Sequence, residues 1–217
     1  YKPKKKTRAT VAREKGLEPL AEIIFKQQNI DIDKIAASFV NDDVKNIEEA
    51  IQGASDIIAE QISETPQARE RIRTIFGEDA VITSKVVKSK VEEAEKYRDY
   101  FEFSQKLSAC PSHRLLAIRR GEKEGFLRVD ISPNEETALK RLKYLFIKAK
   151  TNCASIVEKA LEDSYSRLIK PSIENEFAGL SKETADISAI DVFAGNLKQL
   201  LLAPPLGKKR IMGVDPG

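Results

Sequence analysis

Aliphatic residues recur at spacings of three and four along most of this chain, and this periodicity constrains the fold more than any other feature. The clearest run contains Val44, Ile47, Ile51, Ala54, Ile58 and Ile62. Residues three and four apart lie on one face of an α-helix, so the run predicts a helix with a continuous apolar face. Further stripes lie at 66–76, 138–149 and 157–177. With 33% charged residues and no tryptophan, we expect an all-α fold, an elongated packing of helices with one or two short strands.

A long helix is predicted through the stretch KVEEAEKYRDYFEF, because apolar residues from Val87 to Phe101 keep the helical period. Its aromatic residues are expected to pack in the core. Stacking on bases would need a basic groove beside the rings, whereas Asp99 and Glu102 are acidic. Gly179 is expected to end the helix of the last stripe, because glycine adopts the left-handed conformation that closes many helices.

Two short strands are predicted. Residues 127–131 alternate apolar and charged side chains, which is typical of a half-buried strand. Apolar residues 211–214, in RIMGVDPG, run into an Asp-Pro-Gly turn and predict the second strand. Whether the two strands pair is open. A terminal strand without a neighbour leaves backbone donors and acceptors unpaired, so this ending predicts a piece excised from a longer protein.

The excess of positive charge, formally +3 for the chain, is concentrated in its first sixteen residues. The candidate phosphate contacts in this run are Lys4, Lys5, Lys6 and Arg8. Such a run neutralises nucleic-acid phosphates and gives salt-sensitive affinity. A solvated connector explains the same residues equally well, and both interpretations stay open.

A second basic segment, PSHRLLAIRRGEKEG, is predicted to form a helix that starts with Ser112 as its cap and ends at Gly121. Its candidate phosphate contacts are Arg114, Arg119, Arg120 and Lys123. The positive N-terminus of the helix and these cations suit an anion. Ion pairing with glutamates elsewhere in the chain is the favoured alternative.

The sequence argues against several other classes of site. Cys110 and Cys153 belong to no Cys-x-x-Cys motif and His113 is the only histidine, so neither a zinc site nor a disulfide framework is predicted. Both cysteines are expected to be free, buried thiols in a cytoplasmic protein. No metal, cofactor or small-molecule substrate is expected. No apolar run approaches the roughly 18 residues of a membrane span, so no membrane partner is expected either.

Five stretches of the chain carry a family resemblance: YKPKKKTRATVAREKGLEPLA, YRDYF, PSHRLLAIRRGEKEG, LLAPP and MGVDPG. In order and approximate spacing they resemble the Tex family of bacterial transcription accessory proteins. The resemblance implies a large protein with a helical N-terminal part, a YqgF-type ribonuclease H-like domain, helix-hairpin-helix motifs and an RNA-binding OB-fold domain. On that map, residues 1–16 are a basic connector and 17–203 the central helical domain. Residues 204–217 are a linker and the first strand of a truncated YqgF/ribonuclease H-like domain.

The resemblance implies a nucleic-acid-binding transcription accessory factor, in which this chain is a helical scaffold without a complete active site. Its expected partner is RNA or DNA, bound without sequence specificity, with RNA polymerase or other transcription machinery as a further partner. The alternatives are the non-catalytic part of a metal-dependent phosphodiesterase or nuclease, and a protein-interaction scaffold that docks on RNA polymerase. By resemblance Asp215 occupies the position of a metal-holding aspartate in active ribonuclease H-like nucleases, although a plain turn residue before Pro216 is favoured.

Overall fold

The computed structural model describes residues 6–204, 207, 210 and 212–215. Five helices come first along the chain: α1 (Arg8–Glu14), α2 (Glu18–Phe25), α3 (Ile32–Ala37), α4 (Ile47–Glu64) and α5 (Pro66–Asp79). α4 is central, because the other four helices all contact it. Its inward face contains the fully buried Ile57, Ile58 and Ile62, which confirms the helix predicted from the run of apolar residues that ends at Ile62. Asn46 caps it by accepting a hydrogen bond from the Glu49 N–H at 2.7 Å.

A small antiparallel sheet and one helix follow: β1 (Val81–Val86), β2 (Glu102–Lys106), α6 (Ser112–Lys123) and β3 (Leu127–Ser132). The strand order is β2-β1-β3, with Val81 opposite Lys106 on one side and Ser132 on the other. Ile82 and Ile131 face each other across the sheet and join the core of the helices. The strand predicted at 127–131 is therefore confirmed, and its partner is β1.

The long helix predicted from Val87 to Phe101 is wrong. The chain leaves β1 there and returns to β2 through 3-10 turns, the longer at Glu95–Tyr100. Ala94 and Tyr97 are buried three residues apart, a spacing that repeats one face of a 3-10 helix and also fits one face of an α-helix. The aromatic residues do pack inward, as predicted: Tyr97 is 4% exposed, and Tyr100 lies edge-on to Phe103 beside the core.

Three helices complete the fold: α7 (Glu135–Phe146), α8 (Asn152–Asp163) and α9 (Lys170–Leu202). A π-helical segment, Ser164–Ile169, joins α8 to α9. Pro171 is the second residue of α9 and follows directly on the π-helical segment, in which the Lys170 N–H bonds to the Tyr165 carbonyl. Proline has no N–H with which to continue this pattern of hydrogen bonds. The helix end predicted at Gly179 is wrong, since α9 continues for 23 residues to Leu202. Glycine weakens a helix interior by about 1 kcal/mol without ending it.

The all-α class is confirmed, with a three-stranded sheet where one or two strands were expected. One buried cluster joins residues from α1 to α9 and from the sheet. Residues 212–214 of the predicted C-terminal strand are described and form no strand, while Ile211 lies outside the described residues. Pairing of 127–131 with that segment, which the sequence left open, is absent from the part of the chain that the structure describes.

The remaining sequence predictions concern thiols and membranes. Both cysteines are free, with Cys153 buried as expected and Cys110 partly exposed, because Cys110 lies in the connection before α6. Burial raises the pKa of both thiols, which keeps them protonated at neutral pH. Within the described ranges, no helix is both long and apolar enough to cross a bilayer.

Candidate nucleic-acid interface

The orientation of α6 follows from three buried residues, Leu115, Ile118 and Gly121. A side chain at Gly121 would place its Cβ 2.7 Å from a methyl carbon of Leu127, so glycine lets α6 approach β3 closely. The polar face of the helix is thereby turned to solvent. Pro111, not Ser112, is the N-cap, and it offers no side-chain acceptor to the first turn. The predicted capping role of Ser112 is therefore wrong.

A groove of about 490 Å³ runs between this polar face and α9. Arg119, Arg120 and Lys123 line it from α6, as their spacing on one helix face requires. Lys182 and Asp186 line it from α9. Sequence reasoning missed Lys182 because the helix was predicted to end three residues earlier. The helical spacing of residues beyond Gly179 was the signal that would have revealed it.

Ion pairs within the protein neutralise part of the positive charge at this groove. Arg119 is bound to Glu122 at 2.6 Å, and Lys182 is paired with Asp186. Lys96 approaches Glu124 at 2.7 Å, and this contact holds the pKa of the Glu124 carboxyl below its ordinary value. The Glu124 carboxyl therefore stays ionised, and these three ion pairs neutralise Arg119, Lys182 and Lys96.

Arg120 and Lys123 differ from these paired groups. Both are exposed, and neither is in an ion pair with any residue that the structure describes. Two positively charged side chains three residues apart on a rigid helix can contact adjacent phosphates without a change in the backbone. They are the cations of the groove that are available to an anion.

Arg114 lies apart from the other candidates. It is exposed near the start of α6 and does not line the groove. Burial raises the pKa of the Cys110 thiol, and the positive charge of Arg114 lowers that pKa by less. The structure thus brings together three of the four candidates on this helix.

Of the four N-terminal candidates, the structure describes Lys6 and Arg8, at the start of α1. Lys4 and Lys5 fall outside the described residues. Lys6 is paired with Glu14 at 2.8 Å, and Arg8 is exposed at the first position of α1. From Arg8 onward the predicted basic connector is a helix whose Ala9 contacts the core, although the domain boundaries themselves stay a prediction.

Two neighbouring cations of the same run bind acids of α4. Arg13 contacts Glu60 at 2.5 Å, and Lys15 contacts Glu49 at 2.6 Å. Ion pairing within the protein, rather than solvation, therefore occupies these side chains. This outcome was not among the interpretations that charge distribution alone suggested.

No metal site is formed by the residues in the described ranges, where no three His, Cys, Asp or Glu side chains come together. Asp215 lies in a segment without regular secondary structure. Its assignment to a metal-holding position rests on resemblance alone.

Comparison with known proteins places residues 27–193 within the family described as Tex central region-like. Across its whole length the chain is 42% identical to the uncharacterized protein YdcI of Bacillus subtilis and 37% identical to the transcriptional accessory protein Tex of Neisseria gonorrhoeae. It is also 28% identical, over 98% of its length, to the human S1 RNA-binding domain-containing protein 1. The aligned part is 31%, 30% and 23% of these relatives, so the chain spans about a third of their length or less.

Proposed function

This chain belongs to the Tex family, and we propose that it is the helical scaffold of a nucleic-acid-binding transcription accessory factor. Two relatives support the proposal by name, one as a transcriptional accessory protein and one as an S1 RNA-binding domain protein. The scaffold binds RNA or DNA through phosphates and performs no reaction itself.

The observation that carries this proposal is the α6 groove with its two available cations, Arg120 and Lys123. Phosphate contacts give affinity that does not depend on sequence and that falls as salt rises. Because buried residues of α6 hold it against the sheet, the cations are positioned before the nucleic acid arrives. Contacts of this kind suit a factor that tracks along a nucleic acid.

The test is the salt dependence of binding by the double variant Arg120→Gln, Lys123→Gln. The logarithm of the binding constant falls as the logarithm of the salt concentration rises. Loss of two phosphate contacts should reduce the magnitude of this negative slope by about 1.5 to 2 and weaken binding uniformly across sequences. Fluorescence anisotropy with labelled RNA and DNA measures both quantities. The matched control, Lys34→Gln with Lys159→Gln, removes the same charge from exposed positions outside the groove and should change the slope little. Equal slopes for the two double variants would refute the role of the groove.

A second candidate function, docking on a protein such as RNA polymerase, is favoured by the end of α9. Five apolar residues there lie at alternating spacings of three and four and are all exposed: Ile187, Ile190, Ala194, Leu197 and Leu201. This spacing is that of a helix face that packs against another helix. Binding to polymerase that is insensitive to salt and lost in Leu197→Asp would favour this function over the first.

A further inference from the structure

The most exposed aromatic side chain of the described residues is Tyr144, near the end of α7, with 89% of its surface open to solvent. It makes no ring contact with any residue that the structure describes. The inward face of α7 is formed by Ala138, Leu142 and Phe146, so Tyr144 contributes nothing to the core. An unpacked ring on a rigid helix needs another explanation than stability.

Two cations lie about one helical turn before this ring, on the same helix face. Lys140 precedes Tyr144 by four residues and Arg141 by three, which are the spacings of neighbours on a helix surface. Both are exposed, and neither is in an ion pair among the described residues. Lys143, on another side of the same helix, differs from them, because it binds Glu158 at 2.7 Å and Glu162 at 2.8 Å.

A cavity of about 670 Å³ opens at the C-terminal end of α7, where Leu145 and Phe146 form part of its wall. Lys26 and Lys148 contribute positive charge to this wall, and Gln28 contributes a carboxamide. The residues that line the cavity include no carboxylate. This differs from the α6 groove, whose wall contains both Glu124 and Asp186.

The backbone beside the cavity is held in place by Gln27, a buried residue in the left-handed conformation, with φ of 57°. Its side-chain amide donates to the Phe146 carbonyl at 2.7 Å and accepts from the Lys148 N–H at 2.8 Å. Its own carbonyl accepts from the Thr151 hydroxyl at 3.0 Å. The end of α7 and the loop after it are therefore positioned by three hydrogen bonds.

We propose that the exposed face of α7 formed by Lys140, Arg141 and Tyr144 binds a single-stranded nucleic acid. Tyr144 stacks on one unpaired base, and the two cations neutralise neighbouring phosphates. Lys26 and Lys148 add positive charge at the C-terminal end of the same helix. Exposed rings beside a positively charged surface are the means by which proteins hold single strands, since every base has a face to stack on. A duplex keeps its base faces stacked inside the helix and cannot use the ring. The inference rests on the proposed nucleic-acid function and adds to it the location and the preference for single strands.

The test compares Tyr144→Ala with Tyr144→Phe in this chain, with Phe193→Ala as the matched control. Phe193 is an exposed aromatic residue on another helix, α9, so its loss removes a similar ring that is not part of the proposed surface. We expect Tyr144→Ala to weaken binding of a labelled oligouridine about tenfold, while Tyr144→Phe and Phe193→Ala leave it unchanged. Binding of a DNA duplex should not differ among the three variants. Circular dichroism checks that each variant folds.

The possible outcomes separate the two proposals. If the unaltered chain binds single strands and Tyr144→Ala binds them as well as Phe193→Ala does, the stacking site is refuted and the proposed function is not. If the unaltered chain binds neither single strands nor duplexes at low salt, the proposed function fails and this inference fails with it. Equal loss of duplex and single-strand binding in Tyr144→Ala would also refute stacking, because a duplex offers no free base.

Discussion

Gly53 lies in the middle of α4, where Ala12 of α1 and Leu17, just before α2, pack closely against this helix. A side chain there would meet a methyl group of Leu17 and would lie 3.4 Å from the Cβ of Ala12. Leu17 is only 1% exposed, so its methyl group would have to shift within a buried contact if a side chain were added at Gly53. Glycine at this position therefore lowers the helix propensity of α4 but allows close contact between the helices.

Gly53→Ala is predicted to destabilise the protein by about 1 kcal/mol. Alanine gains about 1 kcal/mol of helix propensity, but overpacking of a buried contact costs about 1 to 3 kcal/mol. Chemical denaturation monitored by circular dichroism measures the free energy of unfolding. Gly179→Ala is the matched control, because Gly179 also lies inside a helix and no atom approaches its Cβ position within 4 Å. We expect the control to be stabilised by about 0.5 to 1 kcal/mol. The same sign of change in both variants would contradict this interpretation.

The carboxylate of Glu60, on α4, holds α1 in place through two hydrogen bonds. Arg13 contacts Glu60 at 2.5 Å and the Thr7 hydroxyl donates to it at 2.8 Å. Burial raises the pKa of this carboxyl, but the hydrogen bonds from Arg13 and Thr7 and the positive charges of Arg13 and Arg167 together leave the pKa below its ordinary value. The charged form of Glu60 is therefore more favourable in the folded protein than in the unfolded chain.

Glu60→Gln is predicted to lower the free energy of unfolding by about 1 kcal/mol at neutral pH, since a charged hydrogen bond is lost. A lowered pKa contributes stability that is present above the unfolded value of 4.5 and is lost as the pH falls through the folded value. The difference between the variant and the unaltered chain should therefore shrink as the pH falls below about 4.5. Urea denaturation across this range measures it. Glu64→Gln, an exposed change in the last turn of α4, is the control and should change the free energy of unfolding little at neutral pH. A difference that grew with acidification would overturn the assignment.

The helices could be predicted from the sequence wherever burial alone decides the spacing, as in α4 and α7. Prediction failed where two local structures share a spacing. Val81 to Val87 contain five β-branched residues in seven, a composition that favours a strand, but the apolar period after Val87 suggested a helix and concealed it. Pairing with β2 and β3, which lie further along the chain, selects the strand.

The candidate site was predictable in part for the same reason. Arg120 and Lys123 follow from a basic helix read in isolation. Lys182 could not, because it reaches the groove only through the continuation of α9. Tyr144 was overlooked because a sequence does not reveal which aromatic residue is left outside the core.

At the scale of the whole molecule, one buried cluster holds α1 through the first half of α9 together with the sheet. Ala185 is the last buried residue of α9 among those described, and residues 187–202 are exposed at every position. The two halves of a single helix thus differ in what stabilises them. The first half is stabilised by packing, and the second only by its own backbone hydrogen bonds.

Amide hydrogen exchange is therefore predicted to divide α9 into two parts. A helical segment of this length is marginal in water without packing, so amides of residues 188–202 should exchange at rates close to those of an unfolded peptide. Amides of residues 174–185 should open only with the core, and their protection should match the free energy of global unfolding. Mass spectrometry of exchanged peptides, at two protein concentrations, measures both. Strong protection of residues 188–202 at the lower concentration would contradict the prediction, because it would require a contact that covers this half of the helix. Protection that appears only at the higher concentration would show instead that the exposed apolar stripe associates between copies, while the division within one molecule would stand.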